Sequence, residues 1–103
     1  MWITKEKAET QIEITERVFD EFLANSGFGC GVIEKIFPYS KMVINEDDER
    51  IEVWQWEVET EVYTFTKSDP PSPIYSIKVR LKVSYIPERG WKDWWVVDYT
   101  IYP

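Results

Sequence analysis

Apolar residues recur at intervals of three and four positions in the first quarter of the chain. Between Thr4 and Asn25 they form one stripe, and glutamates take most of the other positions. The stripe consists of Ala8, Ile12, Thr15, Phe19, Phe22 and Leu23. Thr4 is a suitable N-cap, and Asn25-Ser26-Gly27 is a stop signal. The pattern predicts one amphipathic helix over residues 4–25.

The rest of the chain alternates apolar and polar residues with a period of two, which is typical of strands. Strands are predicted over residues 32–37 and 41–44, interrupted at Pro38, and then over 51–67, 75–85 and 91–102. A proline inside a strand implies an edge position or a bulge. The turns fall at residues 45–50, 68–73 and 87–90, with Gly90 at a left-handed position. We therefore predict an α+β fold, with one N-terminal helix packed on a curved antiparallel sheet of about four long strands.

The alternation also predicts which residues of neighbouring strands face each other. One apolar set contains Trp54, Trp56, Val58 and Val62, and the other contains Ile77, Val79, Leu81, Val83 and Tyr85. Both sets must face the helix, and a register that places Val62 opposite Ile77 puts them on the same face of the sheet. On the outer face, Glu57, Glu59 and Glu61 then lie opposite Lys82, Arg80 and Lys78. For the last hairpin, a loop of three residues that ends in Gly90 places Asp98 opposite Arg80. A shift of two residues keeps the same pattern.

The long third strand changes its apolar parity near its start, at Ile51 and Val53. Such a change implies either a bulge or a strand long enough to leave one core and enter another contact.

The last strand is apolar on both parities. Trp95, Val97, Tyr99 and Ile101 are assigned to the helix side, and Trp94, Val96 and Tyr102 to the outer side. A strand that is apolar on both sides is usually covered on both sides. The sequence therefore predicts a homodimer formed through the outer face around Trp94, Val96 and Tyr102, with Arg80 and Asp98 nearby.

Charge and composition restrict the partners. The 103 residues fit one domain, residues 1–103, and carry a net charge of −7 with no histidine. This charge disfavours nucleic acid and anionic membranes, whereas a basic protein partner remains suitable. The single cysteine excludes an internal disulfide. With no leader-like N-terminus and no long apolar run, we expect a cytoplasmic protein without a membrane span.

Few residues suggest chemistry. Cys30 has no histidine to activate it, so we expect it to be dispensable. Gly27, Gly29 and Gly31 follow a helix, whereas phosphate loops precede one. The acidic run from Glu46 to Glu49 fits a solvated turn better than a calcium loop. We expect neither metal nor cofactor.

Two aspartates carry the alternative of catalysis. Asp98 lies within an apolar strand, and Asp93 precedes two tryptophans. A carboxylate among aromatic side chains can act as a general base, but an ion pair between Asp98 and Arg80 explains the same residue. The tryptophans at 54, 56, 91, 94 and 95 are candidates for core packing or for a platform that stacks on a sugar or a base, and the negative charge argues against the base. A small apolar ligand is a further candidate partner of the module.

The order of elements is similar to that of the cystatin-like and NTF2-like folds. The resemblance depends on one helix ahead of long strands and on the closing strand Trp94-Trp95-Val96-Val97-Asp98-Tyr99-Thr100-Ile101. NTF2-like proteins usually have more than one helix ahead of the sheet. Such folds include enzymes, transport factors and dimerisation modules, so the resemblance selects no function. Three hypotheses follow: a self-associating, non-catalytic interaction or ligand-binding module, a small isomerase or hydrolase with Asp98 as the base, and an acidic regulator of a basic partner.

Overall fold

A computed structural model describes residues 5–65, 69–70 and 72–102. Within these ranges the chain forms one helix, α1 (Lys5–Ser26), and five strands. The strands are β1 (Cys30–Ile36), β2 (Ser40–Glu46), β3 (Glu49–Phe65), β4 (Pro73–Ile86) and β5 (Trp91–Tyr102). The predicted α+β layout is confirmed. The predicted Thr4 cap and residues 68 and 71 of the predicted turn at 68–73 lie outside the described residues.

The buried stripe of α1 differs from the predicted one. It consists of Gln11, Ile14, Thr15, Val18, Phe19 and Phe22. Ile12 was predicted to be in the core but is 46% exposed. Two polar residues belong to the buried stripe because the side chain of each has a hydrogen-bond partner there. The Gln11 amide donates to the carbonyl of Phe37 (2.7 Å), and the Thr15 hydroxyl accepts from the indole N–H of Trp56 (2.9 Å).

The predicted end of the helix is confirmed. Gly27 has a φ of 77°, and its N–H donates to the carbonyl of Leu23 over 3.1 Å. A glycine in the left-handed region after the last helical residue closes the helix without steric cost. The chain then enters β1 at Cys30, opposite Tyr63 on β3.

The strands form one antiparallel sheet in the order β1-β3-β4-β5, and β2 also pairs with β3. β1 and β2 are thus two parts of one edge, interrupted around Pro38, as the proline predicts. The hairpin joining β2 to β3 is tighter than predicted. Only Asp47 and Asp48 separate these strands, and both have a positive φ, as a two-residue hairpin turn requires.

The register between β3 and β4 is the predicted one. Val62 lies opposite Ile77, Glu59 opposite Arg80, and Glu61 opposite Lys78. The helix side of these strands forms the main core with α1. It contains Trp54, Trp56, Val58, Val62, Ile77, Val79, Leu81 and Val83.

β5 corrects the predicted faces of two interface residues. Val97 forms a bulge, because Val96 pairs with Leu81 while Asp98 pairs with Arg80. The predicted Asp98–Arg80 register is confirmed, but residues before the bulge lie on the opposite face from the one predicted. Trp94 and Val96 face the helix, and Trp95 faces outwards beside Lys82. Alternation alone did not reveal the bulge because β5 is apolar on both parities.

A second apolar cluster lies on the outer face at one end of the sheet. It contains Ile51, Val53 and Ile86, which are 2%, 7% and 8% exposed. The β2–β3 register is unbroken from Ser40 to Glu46, so no bulge causes the parity change at Ile51. β3 is instead long enough, at 17 residues, to pass from one core to the other.

The helix is shorter than the sheet. The described molecule extends 56 Å along its longest axis. At 1.5 Å per residue, the 22 residues of α1 span about 33 Å. The helix therefore covers only part of the molecule's length. No helix in the described residues combines the length and apolar character of a membrane span.

Candidate functional site

The centre of the outer face is a ladder of charges. The Arg80 guanidinium lies 2.6 Å from the Glu59 carboxylate. Lys78 lies 2.8 Å from Glu34 and 3.2 Å from Glu61. Hydrogen bonds from the Ser76 hydroxyl and the Lys78 ammonium hold the pKa of Glu61 below its usual value. The pKa of Lys78 is raised, chiefly by its hydrogen bond to Glu34. Lys78 and Arg80 are exposed, Glu59 and Glu61 are half-buried, and all four are already paired.

The two aspartates proposed as catalytic alternatives do not form an acid–base pair. Asp98 is exposed beside an open polar groove of about 280 Å³, and its carboxylate accepts from the N–H of Tyr99 over 2.8 Å. Asp93 accepts from the N–H of Trp94 over 2.9 Å. Five residues of strand separate them by roughly 16 Å. Arg80, which faces Asp98, forms its ion pair with Glu59.

An apolar groove lies between α1 and the β1 edge. It has a volume of about 420 Å³ and is lined by Ala8, Ile12, Ile33, Ile36 and Pro38, among others. The exposed side of Ile12 borders this groove. The lining suits a small apolar ligand, but the groove offers few polar groups to orient one.

The five tryptophans in the described part of the chain do not assemble into one platform. Trp54 and Trp56 are 4% and 3% exposed and belong to the core. Trp94 packs edge-on against Phe22, with ring centroids 5.8 Å apart. Trp91 and Trp95 remain exposed on the outer face of β5, about 13 Å apart along the strand.

β5 forms an edge of the sheet and exposes apolar side chains on both faces. Val96, Tyr99 and Ile101 lie on the helix side and are 41%, 64% and 54% exposed. Tyr102 lies on the outer side and is 48% exposed. No strand pairs with the far side of β5 among the described residues. Of the predicted interface residues, Val96 and Tyr102 are therefore exposed, while Trp94 is partly buried in the core.

A second apolar surface was not predicted as a site. We call it the end patch, and it consists of Met42, Ile44, Ile51, Val53, Ile86 and Trp91. Met42 pairs with Val53, and Ile86 pairs with Trp91, so apolar residues extend across the whole width of the sheet. The parity change at Ile51 and Val53 was the available signal. The sequence alone did not show which residues of β2 and β5 would lie beside them.

Cys30 is exposed at the start of β1. Within the described ranges, no three side chains of the types that bind metal ions come together.

Comparisons with protein-family models, with curated proteins and with solved structures find no match to this chain. The proposals below therefore depend on the geometry of the molecule itself.

Proposed function

We propose that this chain is a non-catalytic interaction module that self-associates through the free edge of β5. The observation that carries the proposal is a twelve-residue edge strand whose apolar side chains are exposed on both faces. An edge strand also presents unpaired N–H and C=O groups, which favour pairing with another strand. A second copy of β5 would satisfy these groups and cover the side chains together.

The charge ladder favours the edge over the outer face as the contact. Stacking two outer faces would bury Glu59, Arg80, Lys78 and their partners, and burying ion pairs costs more than their attraction commonly returns. Pairing at the edge leaves the ladder in solvent. This differs from the interface expected from the sequence, which placed Trp94 and Val96 on the outer face.

The bulge at Val97 limits the register of such a pair. Helix-side residues are Trp94 and Val96 before the bulge, and Tyr99 and Ile101 after it. A two-fold axis between Val97 and Asp98 therefore sets Trp94 of one copy opposite Ile101 of the other, and Val96 opposite Tyr99. Apolar residues meet apolar residues on the helix side in this arrangement.

Sedimentation tests the proposal with two matched variants. Ile101→Asp introduces a charge at the edge, and Ile12→Asp introduces the same charge at a residue of similar exposure on α1. We expect the protein to dimerise with increasing concentration, Ile101→Asp to weaken the dimer at least about ten-fold, and Ile12→Asp to leave it unchanged. A monomer at all concentrations would contradict the proposal, as would equal effects of the two variants.

A further inference from the structure

We infer that the end patch binds a basic, amphipathic segment of a partner protein. This inference extends the proposed function as an interaction module, but it concerns a different surface from the β5 edge.

The end patch has a buried centre and an exposed rim. Ile51, Val53 and Ile86 form the centre, and the helix lies on the opposite face of the sheet from them. On the rim, Met42 and Ile44 are 40% and 39% exposed, and Trp91 is 51% exposed. An exposed tryptophan beside a packed apolar centre is typical of an interface anchor.

The two hairpin ends beside the patch are connected. Arg89, in the loop between β4 and β5, lies 3.6 Å from Glu46 at the end of β2. A cleft of about 350 Å³ opens between Ile86, Arg89 and Trp91. This volume admits a side chain of a partner next to the Trp91 ring.

The charges around the patch favour a positively charged partner. The two turns and the residues next to them contain five carboxylates and only two guanidinium groups. The carboxylates are those of Glu46, Asp47, Asp48, Glu49 and Glu88, and the guanidinium groups are those of Arg50 and Arg89. Lysine and arginine side chains of a partner would be attracted to this border while its apolar residues covered the exposed rim residues Met42, Ile44 and Trp91. A second copy would instead bring carboxylates against carboxylates, so the patch is a poor surface for self-association.

The two surfaces can be occupied at the same time. In the proposed β5 pairing, Asp93 of one copy lies opposite Tyr102 of the other. Trp91 therefore lies beyond the described end of the neighbouring strand and remains available.

Titration with a short labelled helical peptide of leucine and lysine tests the inference, and a peptide with glutamate in place of lysine is its control. We expect the lysine peptide to bind at least about ten-fold more tightly than the glutamate peptide. Its binding should weaken as salt is raised. Trp91→Ser should weaken it at least about ten-fold, whereas Trp95→Ser, on the same strand and face and 42% exposed, should not.

The acidic border is tested separately with Asp47→Asn and Asp48→Asn in one protein. Asparagine tolerates the positive φ of both positions, so the turn is kept while two charges are removed. We expect weaker binding of the lysine peptide and a smaller dependence on salt.

Three results would overturn the inference: equal binding of both peptides, unchanged affinity in Trp91→Ser, or no binding by a protein that circular dichroism shows to be folded. Sedimentation of Trp91→Ser separates this inference from the proposed function. That variant should still dimerise, whereas Ile101→Asp should lose the dimer and still bind the peptide.

Discussion

At position 31 the helix and the sheet approach too closely for a side chain. A Cβ on Gly31 would lie 2.8 Å from the carbonyl oxygen of Glu61, from the Phe19 ring and from Val62. Gly31→Ala should therefore lower the free energy of unfolding by about 1–3 kcal/mol, because a packed core yields only by displacing its neighbours. Urea denaturation measures this change.

The adjacent residue provides a control for Gly31. Cys30 is exposed, so Cys30→Ser should leave the urea midpoint nearly unchanged. If Gly31→Ala and the parent had the same free energy of unfolding, α1 would not be packed as closely on β1 as described.

Glu21 connects α1 to β5 in a way that depends on pH. Its carboxylate accepts hydrogen bonds from Lys92 and, over 3.2 Å, from the Trp94 indole. These bonds, that from Lys92 first, hold the pKa of Glu21 below its usual value of 4.5. The carboxylate therefore stabilises the fold above the unfolded-state pKa, and the effect is lost as the pH falls through the folded-state pKa.

Glu21→Gln tests this dependence. At neutral pH the substitution should lower the free energy of unfolding by less than about 1 kcal/mol, because the Glu21 side chain is about half exposed to solvent. The difference from the parent should disappear at acid pH. Lys92→Met should show the same dependence, and a loss that is constant across the pH range would rule out the ionic contact as its cause.

Some individual side chains were beyond prediction from the sequence. Gln11 is buried because the carbonyl of Phe37, distant in the sequence, accepts its hydrogen bond, whereas Thr15 was on the predicted stripe. Periodicity ranks residues by polarity and contains no information about such partners. It therefore favoured Ile12 for the core, although Ile12 faces the groove beside β1.

Among the elements, β3 and β4 were predictable in detail and β5 was not. The β3–β4 register follows from parity because each strand has one apolar face and one charged face. β5 is apolar on both faces, so the bulge at Val97 leaves no mark in its pattern. Parity likewise indicated a second contact for Ile51, but not the neighbours that complete the end patch.

The outer-face ladder distinguishes two possible partners of Arg80. Arg80 lies between Glu59 and Asp98 across the strands, but its ion pair is with Glu59. A double-mutant cycle with Arg80→Met and Glu59→Gln should give a coupling of up to about 1 kcal/mol. The cycle with Asp98→Asn should give a coupling near zero. The opposite ranking would mean that Arg80 holds β5 rather than β3.

At the scale of the whole molecule, the sequence predicts one layer of helix on one layer of sheet, and the structure shows that layout. It also shows that the described molecule, 56 Å along its longest axis, is longer than the helix. The likeness to cystatin-like and NTF2-like folds stays a prediction, since element order is shared by many α+β proteins. The homodimer also stays a prediction, which the exposed edge of β5 favours.

The sheet is not held with equal strength across its width. β3 is hydrogen-bonded on both sides, by β1 and β2 on one side and by β4 on the other, whereas β5 is bonded only to β4 within the described ranges. A strand that is bonded on one side only can separate from the sheet without breaking the pairing between other strands, so β5 can separate from β4 while β3 keeps its neighbours. A separated β5 exposes the edge of β4, onto which the β5 of another copy fits as well as its own. The same bonding pattern therefore permits two copies to exchange their last strands, giving a swapped dimer that needs no new contact surface.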